Sequence, residues 1–239
     1  MSTLYEDVEG NISNDFIGFL KAIGHKFRFS LILYLFNKND TSLSEISNHF
    51  NRENSNILNH TKTLELAGLI QNYYKKIPNR REYSFFKLTR FGKTFLDNYL
   101  KILKQFKYIE NKNTYNIDDF DKNIEYLLKS LSNKFRFFIL LILNRKESLS
   151  FSDIMNYTKN MTNVVNHLKK LELAGLIQNY YKKVEDLDNY SFYKLTMAGK
   201  KITEILIIYY TKYFEDSNHK LDITKQLEAS EEFQKEVLV

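Results

Sequence analysis

No cysteine occurs among the 239 residues, which removes disulfides, thiolate metal sites and thiol nucleophiles together. The absence fits a reducing compartment. Glycine is sparse, at seven residues, and none of the seven belongs to a glycine-rich loop of the kind that cradles a phosphate. No two histidines have the spacing of metal ligands, and the acidic residues are scattered or gathered in the linker and tail. Long hydrophobic runs are also missing. The most apolar stretch, ILIIYY at 205–210, is far too short to cross a bilayer, and MSTLYEDVEGNISNDF at the start lacks the basic residues and apolar run of a signal peptide. The expectation is a soluble cytoplasmic protein that is not an enzyme and carries neither cofactor nor metal.

What is present is a globular composition, 43% hydrophobic and 27% charged, with length enough for two domains that each bury a core. The net charge of +6 is unevenly spread: 215–239 holds three lysines and seven acids, so a tail of −4 follows a body of +10. A body this basic suits a polyanionic partner. The acidic tail is expected to be helical.

The body is a duplication. LELAGLIQNYYKK stands at 64–76 and again, unchanged, at 171–183. At an offset of 108, HKFRFSLILYLFNKNDTSLSEI (25–46) meets NKFRFFILLILNRKESLSFSDI (133–154), and after one lost residue REYSFFKLTRFGK (81–93) meets DNYSFYKLTMAGK (188–200). A period this long repeats a domain rather than a solenoid unit. The expected organisation is a first domain over 1–108, a linker over 109–118, a second domain over 119–214 and the tail over 215–239.

Each repeat reads as the same run of elements. Apolar spacing predicts helices over 14–23 and 121–131, then over 26–36 with Phe27, Leu31, Tyr34 and Leu35 on its inner face. Ser42 with Glu45, and more weakly Ser150 with Asp153, form capping boxes that start a third helix. A fourth spans about 53–67: Ile57, Thr61 and Leu64 point inward, and Asn54, Ser55, Asn59 and Lys62 outward. In the second repeat Val164, Leu168 and Leu171 face in, and Thr162, Asn163, Asn166 and Lys169 face out. Gly68 and Gly175 stop these helices in a left-handed conformation. A two-stranded ribbon follows, turning at Ile77-Pro78-Asn79-Arg80 in the first repeat, and then a last helix, roughly 90–108, with a broad apolar stripe. Four helices, a ribbon and a closing helix describe a mainly α fold with small β-hairpin wings, the winged helix-turn-helix.

The order Arg28, Leu31, Ile32, Leu35, then Ser42 and Glu45, then His60 to Ile70, then Phe86 to Thr89, resembles the ArsR-like winged-helix transcriptional regulators. The second repeat carries the pattern at Arg136, Ile139, Leu140 and Leu143, at His167 to Ile177, and at Tyr193 to Thr196. The resemblance implies sequence-specific binding of double-stranded DNA. Members usually pair as one-domain chains through their first and last helices, so a tandem pair looks like a covalent pseudo-dimer, with half-sites about one helical turn apart. The metal-sensing cysteines, or paired acids and histidines, of many members are not found here. The last-helix stripe is expected to pack the repeats together. The alternative is self-association of two chains through Phe95, Tyr99, Ile102, Ile205, Ile208 and Tyr209.

On this reading the outward face of the fourth helix meets the major groove. There asparagine can pair with adenine through two bonds, while Ser, Thr and His contact bases less selectively. The candidates are Asn54, Ser55, Asn56, Asn59 and His60 with Arg52 and Lys62 nearer the phosphates, then Thr162, Asn163, Asn166, His167, Lys169 and Lys170. A competing reading makes His60 and His167 packing residues, and the many asparagines a consequence of biased composition. The wings diverge: Lys75, Lys76, Arg80 and Arg81 face only Glu82 in the first, whereas Lys182 and Lys183 face Glu185, Asp186 and Asp188 in the second. A basic wing can follow the phosphate backbone or enter the minor groove, and an acidic one is repelled. The runner-up function is a tandem winged-helix adaptor between proteins, which the acidic second wing and acidic tail would suit. Charge reversal at Arg80 and Arg81 is expected to weaken duplex binding and flatten its salt dependence in a titration. An unchanged slope would remove the wing from the interface.

Overall fold

Short polar side chains open the helices of both repeats. In the computed structural model, which describes residues 12–75, 83–110, 120–158, 163–184 and 187–214, α1 (Asn14–Ile23) leads into α2 (Lys26–Asn37), β1 (Thr41–Ser42), α3 (Leu43–Phe50) and α4 (Asn54–Leu66). The hairpin β2 (Ile70–Lys75) and β3 (Tyr83–Leu88) follows, then α5 (Arg90–Gln105). The second series is α6 (Lys122–Leu131), α7 (Lys134–Lys146), β4 (Leu149–Ser150), α8 (Phe151–Tyr157), α9 (Val164–Leu173), β5 (Ile177–Val184), β6 (Leu187–Leu195) and α10 (Met197–Tyr213). Both capping boxes form. The Ser42 amide donates to Glu45 Oε2 at 2.7 Å and the Glu45 amide returns to Ser42 Oγ at 3.3 Å. Ser150 and Asp153 do the same at 3.0 and 3.1 Å.

Three expectations need correction. The ribbon is a three-stranded antiparallel sheet, ordered β1-β3-β2 and again β4-β6-β5. Thr41 and Ser42 pair with Phe86 and Phe85, and a strand of two residues is too short to show a periodicity of its own. Helix α9 begins only at Val164, because Asn163 is its N-cap in a left-handed conformation (φ 71°), so Asn163 does not lie on the helix face. Helix α5 ends at Gln105 rather than Tyr108. Lys107 adopts φ 58°, and its amide and that of Tyr108 close back on the Lys104 and Leu103 carbonyls, the geometry a glycine usually supplies.

The chain divides into two compact units, and the cuts fall elsewhere than the repeat boundaries. One unit is Gly18–Ser132. Its core sets Phe19 edge-on to Phe95 at 4.9 Å, Phe95 stacked on Tyr99 at 5.3 Å, and Phe29 against Tyr99 and Phe120. Helix α6 lies in this unit: Lys26 Nζ meets Glu125 Oε1 at 2.6 Å, and a Cβ on Gly24 would come within 2.6 Å of the Leu128 carbonyl. The other unit is Met1–Ile17 with Asn133–Val239. There Phe16 packs on Phe137, Tyr210 and Phe214 at 5.2, 4.9 and 5.4 Å. Among the described residues no helix is long and apolar enough to cross a membrane.

One arrangement ties α4, the sheet and α5 together, and its counterpart ties α9, the second sheet and α10. At the end of α4 the Gly68 amide (φ +70°) donates to the Glu65 carbonyl at 2.8 Å and the Leu69 amide to the Leu64 carbonyl at 3.0 Å. The Thr89 hydroxyl donates to the Gly68 carbonyl at 2.6 Å and accepts from the Gly92 amide at 2.9 Å, so one side chain caps α5 and grips the end of α4. Thr196, Gly175 and Gly199 repeat these bonds at 2.6 and 2.9 Å. Gly92 has to be glycine, since a Cβ there would stand 2.0 Å from the Leu69 carbonyl oxygen. Gly92→Ala is expected to cost about 3 kcal/mol in urea unfolding, as overpacking against backbone does. Gly18→Ala, in open space on α1, should gain up to about 1 kcal/mol. Equal stability of the two variants would contradict the close approach.

Candidate nucleic-acid interface

Helices α3 and α4 are joined by the turn Asn51–Glu53, which Asn51 starts in a left-handed conformation (φ 48°). The α4 wheel is partitioned as its sequence suggests, with Ile57, Thr61 and Leu64 buried and Arg52, Asn54, Ser55, Asn56, Asn59 and Lys62 exposed on or just before the helix. The N-cap Glu53 makes no side-chain cap bond, its carbonyl takes the Asn56 and Ile57 amides at 3.0 and 3.1 Å, and its exposed carboxylate would oppose a phosphate at that point.

His60 does not project with the asparagines. It is half-buried, 4.7 Å from the Phe27 ring and 5.2 Å from the His25 ring. Burial, then His25, Arg28 and Arg52, push its pKa down to about 4. Arg52 spreads its guanidinium over Phe27 at 4.4 Å from the ring centroid, which fixes the charge at the entry of α4 while leaving it exposed. Arg28 has a structural task, donating to the Ala22 and Lys21 carbonyls at 3.1 and 2.7 Å.

In the second unit Asn163, Asn166, Lys169 and Lys170 are exposed. His167 is half-buried against Phe135 at 4.7 Å, with Nδ1 3.5 Å from Arg136 Nη1. Burial, then Arg136 and Lys170, lower its pKa. In both copies, therefore, the histidine of α4 or α9 packs at the helix edge. On the sheets, Lys75 and Lys182 are exposed. Thr162, Lys76, Arg80 and Arg81 lie outside the described residues, as do Glu185, Asp186, the linker residues 111–119, the tail and the side chain of Lys183.

The sheet and α4 are joined directly in the first unit. Glu65 of α4 accepts from the Asn72 amide of β2 at 2.8 Å, and Asn72 Oδ1 accepts from Ser84 of β3 at 2.7 Å. Lys87 extends over the Tyr73 ring at 5.0 Å, as Lys194 does over Tyr180 at 5.3 Å. A helix-turn-helix with an exposed polar face, followed by a sheet fixed to that helix, is thus complete from α2 to α5. Residues 27–107 match the model of a family described as a winged helix DNA-binding domain. The winged helix match covers the first repeat from the start of α2 to just beyond α5, and the second repeat has the same order of helices and strands. No curated protein matches the chain. Among the described residues no group of three or more His, Asp or Glu side chains could hold a metal ion.

The last-helix stripe does not offer itself to a second chain. Phe95, Tyr99, Ile102, Ile205 and Tyr209 are buried within the single chain, and Ile208 is half-buried. Sequence reasoning missed a different group: Leu58 and Leu66 on α4 and Val165 and Leu173 on α9 are exposed apolar residues at corresponding places in the two repeats. The signal was available, since these positions correspond in the two repeats and fall off the buried stripe of either wheel.

A histidine held neutral in the fold makes stability depend on pH with a definite sign. His60 stays neutral down to about 4 when folded but protonates below roughly 6.5 when unfolded. Its packing therefore contributes fully above about 6.5 and is progressively lost as pH falls toward 4. His25, His49 and His167 shift the same way. His60→Phe, which keeps the ring, should reduce the fall of the thermal midpoint across that window. An unaltered pH profile would remove His60 from the cause.

Proposed function

We propose that this protein is a transcriptional regulator that binds double-stranded DNA sequence-specifically, inserting the outward faces of α4 and α9 into the major groove. The observation that carries the reading is the α4 face: Asn54, Asn59 and Lys62 exposed on a helix whose other side is pinned by Ile57, Thr61 and Leu64, within the segment that matches a winged helix DNA-binding domain. Asparagine there supplies the donor and acceptor pair that adenine presents. Arg52 and Lys62 supply phosphate charge, and Lys75 extends it along the sheet. The motif's resemblance to ArsR-like regulators supports the same assignment, with the two repeats acting as a tandem pair and the role being binding rather than catalysis. The first repeat is the stronger contributor on this reading, because its wing sequence is basic and the second is acidic.

A second reading, an adaptor between proteins, draws on Glu185, Asp186 and Asp188 in the second wing and the acidic tail. Selection of duplexes from a random library by the full chain separates the two. The regulator enriches one motif and loses affinity steeply with salt; the adaptor enriches none. On the enriched duplex Asn59→Ala is expected to weaken binding roughly 10-fold, with little change on random DNA. Lys62→Ala should weaken both alike and lower the salt slope by about 1. Equal losses on both duplexes for Asn59→Ala would contradict base reading by that residue.

A further inference from the structure

The two reading helices share a pattern in which an inward apolar residue is followed by an outward apolar residue, an asparagine and a half-buried histidine: Ile57-Leu58-Asn59-His60 and Val164-Val165-Asn166-His167. Ile57 and Val164 are almost wholly buried, at 0% and 2% exposure. Leu58 and Val165, one position along, stand at 42% and 62% exposure although neither packs into the core. A lone exposed leucine needs no explanation. Here the exposure recurs at the corresponding position of both copies, directly beside exposed asparagine and lysine, whereas the other exposed leucines, Leu66 and Leu173, stand at the far ends of the two helices. Leu58 has Asn54 and Lys62 one turn away on either side and Asn59 beside it, all exposed, and Val165 has Asn166 and Lys169 in the corresponding places.

We infer that Leu58 and Val165 are specificity residues that contact the C5 methyl groups of thymines next to the bases read by Asn59 and Asn166. The inference rests on the DNA-reading function proposed above. The major-groove edge of an A·T pair offers two kinds of feature, the N7 acceptor and N6 donor of adenine and the methyl group of thymine, and no other pair presents a methyl. An amide and a branched aliphatic side chain placed side by side on one exposed helix face match that combination. The surrounding Arg52, Lys62, Lys169 and Lys170 are cationic and exposed, which suits a polyanion around the apolar contact rather than an apolar protein surface. The expected half-site core is therefore an adenine with an adjoining thymine.

The test removes the methyl group and nothing else. In the duplex enriched from the random library, each thymine is replaced singly by deoxyuridine, and the affinity of the full chain is measured for the wild type, Leu58→Ala and Val165→Ala. For the wild type, one thymine in each half-site is expected to show a loss of roughly fourfold, the factor for a single buried methyl group. Leu58→Ala abolishes that loss in one half-site and Val165→Ala in the other, because the methyl then has no partner. A flat uridine scan with the wild type, or losses that persist undiminished in both variants, overturns the inference while leaving sequence-specific binding intact. Failure to enrich any motif overturns the regulator reading, and this assignment with it.

Discussion

The orientation of α4, and of α9 in the second unit, depends on a threonine hydroxyl set between two glycines. Thr89 Oγ1 reaches the carbonyl of Gly68, which ends α4, and takes the amide of Gly92, in the first turn of α5. The Thr89 amide closes on the Leu69 carbonyl at 3.0 Å, so helix end, sheet start and last helix meet within a few ångströms. A half-buried hydroxyl that is both donor and acceptor fixes direction in a way that apolar packing does not, because a small displacement breaks both bonds. The repetition of the arrangement at Thr196, Gly175 and Gly199 accounts for four of the chain's seven glycines. From that junction follows the exposed position of the α4 face, and Glu65 then carries the constraint into β2 through the Asn72 amide.

Much of this was legible in the order of residues because local rules and burial agree. The helix bounds of α1, the Ser42 and Ser150 caps, the inward set Ile57, Thr61 and Leu64, and the left-handed stops at Gly68 and Gly175 each have a short-range cause in the side chains concerned. What was not legible depends on partners distant in sequence. The strands β1 and β4 exist only because β3 and β6 pass alongside. The need for glycine at 92 and 199 arises from the Leu69 and Leu176 carbonyls, more than twenty residues earlier. Lys107, Asn51 and Asn163 adopt left-handed conformations that their residue types favour weakly or not at all.

The candidate site shows the same division. Its polar members could be picked out from helical periodicity. For His60 the sequence left two readings, base contact or packing, and Phe27 and His25 at the start of α2 decide for packing. The apolar members Leu58 and Val165 were overlooked for a different reason: an aliphatic residue in a helix is ordinarily assigned to the core, and only its observed exposure gives it another task. On the proposed reading the centre of this surface, amide and aliphatic, meets the bases and its cationic margins meet phosphates, which would assign base readout and phosphate attraction to different residues.

The central claim is that the outward face of α4 reads the major groove, and base-analogue interference measures it most directly. N7 of adenine lies in the major groove and N3 in the minor, so duplexes carrying single 7-deazaadenine or 3-deazaadenine substitutions, fractionated by binding to the full chain, report which groove is occupied. Within the recognised core 7-deazaadenine is expected to exclude duplexes from the bound fraction, and Asn59→Ala to relax the exclusion near its base. Interference confined to 3-deazaadenine, or none at any adenine of a duplex that binds, would contradict it.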